Sequence, residues 1–180
     1  MRESLVREGA ALFAAGGTAH VSVEDIIAAA GISRATFYGI FSNKQELMAA
    51  ILAPVLEGGG AGFAALQGVP DDQIVPGIVR VYTDLWATSE HALSLIAGID
   101  RAVFPYLEQG HQGFTSELRK LLQRAADAGL LANDDAELSF RVIARTAVPL
   151  LKVFTDRADW AELFRHAMIG MLLKVDANNS

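Results

Sequence analysis

The sequence predicts an all-α protein, and three observations carry that prediction. Apolar residues recur at intervals of three and four almost throughout, the spacing that lines one face of a helix. No stretch alternates apolar and polar residues into a hairpin turn, so nothing reads as a strand. Glycines, and Ser or Asp residues at helix-start positions, punctuate the apolar segments.

Composition supports a buried core: of 180 residues, 52% are hydrophobic and 20% charged, the balance of a folded chain. Cysteine is absent, which excludes a disulfide framework and a thiolate metal site and suits a reducing compartment. The opening residues MRESLVREGA mix Arg and Glu, and no uninterrupted apolar run reaches the roughly eighteen residues of a membrane span. The reading is a cytoplasmic protein with no signal peptide and no membrane partner. The net charge of −6, taken alone, argues against a nucleic-acid partner.

The elements follow in order. Leu5, Leu12 and Phe13 mark a first helix ending near Gly16-Gly17, because two successive glycines favour termination. Ser22 is placed as an N-cap with Asp25 three residues on, and Val21 is placed to staple onto Ile26. A short helix over Val23–Ala30 stops at Gly31, which can take the left-handed conformation of a C-terminal cap. Ser33 caps the next helix, over by about Gly39, and Ser42 with Gln45 caps a longer one from Asn43. Pro54 and the run EGGGAGF at 57–63 predict a kink or break in it, the glycines being either tolerated in an exposed segment or a hinge. Further amphipathic segments have Asp71, Asp134 and Asp159 as their N-terminal signals, and the tail DANNS is expected to fray.

Two short helices joined at a glycine turn and preceded by a third form a helix-turn-helix. Phe37 and Phe41 are placed to anchor the second short helix, which leaves Arg34, Thr36 and Tyr38 to project outward. In a helix-turn-helix that outward face enters the major groove of DNA. The expected organisation is an N-terminal three-helix helix-turn-helix domain at residues 1–50 and a C-terminal helical domain at residues 51–180.

Residues 5–52, LVREGAALFAAGGTAHVSVEDIIAAAGISRATFYGIFSNKQELMAAIL, resemble the DNA-binding domain of the tetracycline-repressor (TetR) family of bacterial transcription regulators. The resemblance rests on LF near the end of helix one, SVxDIxxAAGIS, TFY on the recognition helix and FxNK before helix four. It implies a homodimer, nine or ten helices per subunit, and a C-terminal domain that binds a small-molecule effector of unknown identity and thereby releases double-stranded DNA. By matching position it implies base reading by Arg34 and Ala35 and phosphate contacts from Thr36, Tyr38 and Lys44. Ser33 is counted among the DNA-binding residues, and Ser22 would offer a hydroxyl and backbone N–H groups to another phosphate. Arg34 has the fork for a guanine edge, and Ala35 or Thr36 the methyl for a thymine contact.

Two features depart from the family. Gly39 and Ile40 stand where relatives carry polar or aromatic groove contacts. Residues 1–50 hold Arg2, Arg7, Arg34 and Lys44 against Glu3, Glu8, Glu24, Asp25 and Glu46, a net −1, so weak non-specific binding and a shallow salt slope are expected.

The C-terminal segment spreads Phe63, Tyr82, Trp86, His91, Phe104, Tyr106, His111 and Phe114 over several helices, a pattern that fits a core or a ligand pocket. Tyr82, Trp86 and His91 are the candidate ligand-binding residues. His20, His91, His111 and His166 have no metal-ligand spacing, and no nucleophile elbow or phosphate loop occurs, so neither metal, cofactor nor catalytic residue is expected. Over 136–154, Leu138, Val142, Val148 and Leu151 share one side, and over 160–174 Leu163, Ala167, Gly170 and Met171 share another, as a dimer interface or as core. The function expected is a ligand-responsive DNA-binding regulator, most simply a repressor. The alternative is a small-molecule binding protein of the same fold with little sequence-specific DNA binding. An enzyme built in the apolar cavity is a third option.

Overall fold

A computed structural model describes residues 1–96 and 99–174, and they are almost entirely helical. The eight α-helices among them are α1 (Arg2–Gly16), α2 (Val23–Ala30), α3 (Arg34–Tyr38), α4 (Lys44–Ala65), α5 (Ile74–Ile96), α6 (Phe104–Asp127), α7 (Ala136–Phe154) and α8 (Trp160–Leu172). Short 3-10 turns lie at Leu66–Gly68, Asp71–Gln73 and Arg101–Val103. Among the described residues the one strand-like pairing is an isolated antiparallel bridge between Leu131 and Leu173. The tail DANNS lies outside the described residues.

The chain folds into two compact units. The first comprises Met1–Leu56 and Ser89–His111, the second Glu57–Thr88 and Gln112–Ser180. In the first, α1 packs on α2 and α2 on α3 around Leu5, Phe13, Ile26, Phe37, Phe41 and Leu47, all buried. In the second, α7 packs on α8, with Ile143, Leu151, Phe164 and Met168 buried.

Local chemistry explains most helix ends. The Asp25 amide donates to Ser22 Oγ at 3.1 Å and the Ser22 amide to Asp25 Oδ2 at 2.8 Å, a reciprocal capping box. Gly31 has φ 63°, and its N–H reaches back to Ala28 O at 3.2 Å. The start of α4 differs from the reading of Ser42 with Gln45. The Glu46 amide donates to Asn43 Oδ1 at 2.8 Å, while the Ser42 amide donates to Glu46 Oε2 at 2.6 Å. At α7 the cap is Asp135, which accepts from the Leu138 amide at 2.9 Å. Asp134 instead takes φ 52° and pairs with Lys174 at 2.7 Å. Asp159 caps no amide with its side chain and pairs with Arg157 at 2.8 Å.

At Pro54 and the glycine run, where a kink or break is expected, α4 continues without a break for 22 residues. Pro54 lies on an exposed face, where water can serve the carbonyl that its missing N–H leaves. The glycines have a packing role within the second unit. A Cβ on Gly59 would stand 2.3 and 2.7 Å from the Phe114 ring, and one on Gly62 3.0 Å from Val81. Phe114 in turn packs edge-on against Phe63 and Tyr82, with centroids 5.0 and 6.3 Å away. Helical cost at these glycines thus permits close approach of an aromatic cluster.

Lys44–Gly68 is long and apolar enough to cross a membrane by length and composition, with mean hydropathy 1.5 over its best window. Half of that window is buried within the protein, with Leu52, Val55 and Phe63 fully so, and α4 is a core helix. The turn after it is held by Arg124, whose guanidinium donates to Gln67 O at 2.6 Å, Val69 O at 2.9 Å and Asp71 Oδ1 at 2.6 Å.

Gly59→Ala should lower stability by roughly 1–3 kcal/mol despite its better helix propensity, because the Phe114 ring must move. Gly113→Ala, in α6 where an added Cβ meets nothing, should instead raise it by about 0.5–1 kcal/mol. Urea denaturation of the two variants checks both signs.

Candidate nucleic-acid interface

Helix α3 has 5 residues, too few to stand as a helix without tertiary support. Its start is set by Ser33, whose Oγ accepts from the Thr36 amide at 3.1 Å and lies 2.8 Å from Thr36 Oγ1. Its approach is set by the Gly31 turn, after which the Ile32 amide donates to Ile27 O at 3.2 Å. Its inner side is Phe37, fully buried, 6.1 Å from the Phe41 ring and edge-on to Tyr38 at 5.3 Å. With that side committed, Arg34, Ala35 and Tyr38 are exposed and Thr36 is half-buried. The structure therefore brings Ser33, Arg34, Ala35, Thr36 and Tyr38 together on one short helix.

The charged groups are less available than the sequence suggests. Arg34 Nη2 is ion-paired with Glu24 Oε1 of α2. Lys44 Nζ donates to Thr18 O at 2.6 Å and Val21 O at 2.9 Å and lies 5.9 Å from the Phe13 ring, so the ammonium ties the α1–α2 loop to the start of α4. Arg2 stacks over Phe41 at 5.2 Å, and Arg7 pairs with Glu8 at 3.0 Å. All four cations of residues 1–50 thus have an internal partner.

Ser22 is similarly occupied. Its Oγ donates to Asp25 Oδ2 at 2.6 Å as well as accepting from the Asp25 amide, and its own N–H is bonded to the same carboxylate. The Ser22 hydroxyl and amide hold the Asp25 carboxyl below the usual carboxylate range. The start of α2 carries a bound anion already, the aspartate itself. Glu24, Asp25 and Asn43 were not among the expected site residues. The Glu24–Arg34 pair spans ten positions, beyond the i+3 and i+4 spacings that sequence reading can recognise. Asn43 also donates from Nδ2 to the Tyr106 hydroxyl at 3.2 Å.

The three candidate ligand residues belong to two units. Tyr82 and Trp86 are buried in the second unit, 5% and 4% exposed, whereas His91 is exposed and belongs to the first. Between Trp86 and His91, Ser89 has non-helical φ −148° and ψ 40°. Tyr82 joins Phe63 and Phe114, and burial raises its hydroxyl pKa, which keeps it neutral. Trp86 Nε1 donates to Thr155 Oγ1 at 3.2 Å. A cavity of about 280 Å³ lies in the first unit, walled by Lys44, Gln45, Met48, Leu95, Asp100 and Val103.

Of the apolar faces noted on the last two helices, Val148 and Leu151 turn into the core. Leu138, Val153 and Met171 are 39%, 71% and 37% exposed, and Gly170 faces open space.

Residues 5–51, which hold α1 to α3 and the start of α4, match the sequence profile of "Bacterial regulatory proteins, tetR family". The match covers this N-terminal segment and not the rest of the chain. A stretch of 55 residues is 36% identical to the HTH-type transcriptional regulator EthR of Mycolicibacterium smegmatis. That match spans 30% of this chain and 25% of EthR. The fold extends further than the sequence likeness. A tetR-family regulatory protein from Rhodococcus RHA1 superposes with a TM-score of 0.78 over 97% of this chain and 98% of its own, at 16% identity. The ketosteroid transcriptional regulator KstR2 of Mycobacterium tuberculosis does so at 0.75 over 97% and 95%, at 18% identity.

Two expectations follow from the polar contacts. Because the folded Asp25 carboxyl titrates below its unfolded value, its stabilising contribution is complete above the ordinary carboxylate range and disappears as pH falls through the lowered value. NMR titration should show that shift in the wild type and its loss in Ser22→Ala. Lys44→Met, which keeps the apolar stem and removes two charge-assisted hydrogen bonds, should destabilise the protein by roughly 1–3 kcal/mol in urea denaturation.

Proposed function

We propose that this chain is a tetR-family regulator, a homodimer that reads a near-palindromic site on double-stranded DNA through α3 of each subunit. It acts as a repressor and leaves the operator when a small apolar or amphipathic molecule binds. The observation that carries this reading is the division of α3: Phe37 is fully buried while Arg34, Ala35 and Tyr38 are exposed on a helix with no other visible task. In this reading residues 1–50 are the DNA reader, and residues 51–180 the sensor and dimerisation part.

Arg34 and Ala35 contact base edges, whereas Ser33, Thr36 and Tyr38 supply hydroxyls to phosphate. Lys44 and Ser22 act from behind, by fixing the loop and helix start on which α3 depends. Support for a dimer comes from Leu138, Val153, Gly170 and Met171, apolar or small positions left in solvent on α7 and α8. Support for an apolar effector comes from the buried aromatic cluster around Tyr82 and from the name of KstR2, a ketosteroid regulator. By linkage, DNA weakens effector binding by the factor by which effector weakens DNA binding.

One observation favours a second reading, a small-molecule binding protein with little DNA affinity: every cation of residues 1–50 is already engaged. Fluorescence anisotropy against DNA from immediately upstream of its gene, with unrelated DNA as competitor, separates the two. Saturable binding that survives competitor is the expected result, and no binding across a genomic fragment library would leave the second reading.

Arg34→Ala should cost roughly 1–3 kcal/mol on the operator and relax base preference there. Light scattering at micromolar concentration should give a dimer mass, and Met171→Glu should give a monomer with weakened operator binding. A wild-type monomer overturns the dimer.

A further inference from the structure

Glu24 stands on α2 outside the recognition helix, yet its carboxylate holds the one cation that α3 carries. We infer that Glu24 sets the DNA specificity of this chain by keeping Arg34 neutralised until a matching base edge is met, an inference that rests on the DNA-reading function proposed above.

Non-specific affinity for DNA comes from cations that neutralise phosphates and release their counterions. A guanidinium already paired with a carboxylate contributes little to that term, since a phosphate only replaces one anion by another. Of the other three cations of residues 1–50, Arg7 is paired with Glu8, while Lys44 is tied to two carbonyls and Arg2 lies over the Phe41 ring, and these two keep their charge. The carboxylates paired with Arg34 and Arg7 therefore weaken the non-specific term.

The Glu24–Arg34 pair is nevertheless easily opened. The two side chains are 61% and 68% exposed, and pairs this exposed are held by at most about 1 kcal/mol. A guanine edge in the major groove offers two aligned acceptors to the guanidinium fork, which a passing phosphate in a misaligned complex does not. The neighbouring carboxylate cannot take over the task, because Asp25 is locked onto the Ser22 amide and hydroxyl. Glu24 is thus a specificity-determining residue that acts through Arg34.

The test measures binding to the upstream DNA and to unrelated DNA as a function of salt, for wild type, Glu24→Gln, Arg34→Ala and the double variant, with thermal melts to confirm folding. Glu24→Gln should strengthen binding to unrelated DNA several-fold at low salt. It should also steepen the slope of log K against log salt by about 0.9, the value of one added phosphate contact. The ratio of specific to non-specific affinity should fall. In the Arg34→Ala background the same substitution should leave the slope unchanged. An equal effect in both backgrounds would mean that Glu24 acts only as a nearby negative charge, and would overturn the inference. So would a wild type that binds its operator together with a Glu24→Gln variant of unaltered slope. If no variant binds any DNA, the DNA-reading function fails and this inference with it.

Discussion

The outward face of α3 depends on the burial of Phe37. A 5-residue helix forms one turn and a half, far below the length at which helices hold themselves together in water, so α3 persists only because one aromatic side chain is fixed in the core. Phe41, four positions on and equally buried, fixes the chain again as it leaves the helix. Between those two anchors the positions are sorted by geometry alone. The inward position needs bulk and no polarity, while the outward positions are free of packing demands and can be chosen for what they touch.

That sorting carries a cost in electrostatics. The first unit is assembled largely from small residues and short helices, and several of its joints are made by charge. Lys44 gathers two loop carbonyls, Asp25 gathers the start of α2, and Glu46 with Asn43 closes the start of α4. Lys44 is consumed in holding the scaffold, and what remains outward on α3 is a carboxylate-paired guanidinium with hydroxyls and a methyl. This differs from a strongly basic binder, in which surplus charge gives affinity before any fit is achieved.

What could be read in the sequence was local. The bounds of α2 and α7, the Ser22–Asp25 box and the Gly31 stop all rest on residues within four positions of one another. The same caps and turn gave the helix-turn-helix, and residues 5–52 added the likeness to tetR-family DNA-binding domains. What escaped lay at long range or at a break in periodicity. Phe114 explains Gly59 from 55 positions away in sequence, and Glu24 meets Arg34 across a turn. The grouping of Tyr82 and Trp86 with His91 rested on residue type alone, and the backbone at Ser89, between Trp86 and His91, is not helical. The slip from Ser42 to Asn43 is of another kind, because both residues can cap and only the exact exit direction from Phe41 chooses between them.

The contact between Gly59 and the Phe114 ring has an evolutionary consequence. Each of these positions sets the size permitted at the other, so neither can drift alone: a methyl at 59 calls for a smaller side chain at 114, and a lost ring at 114 removes the reason for a glycine. Among descendants of this sequence the two should change as a pair, whereas Gly113, with open space around it, is free to vary by itself.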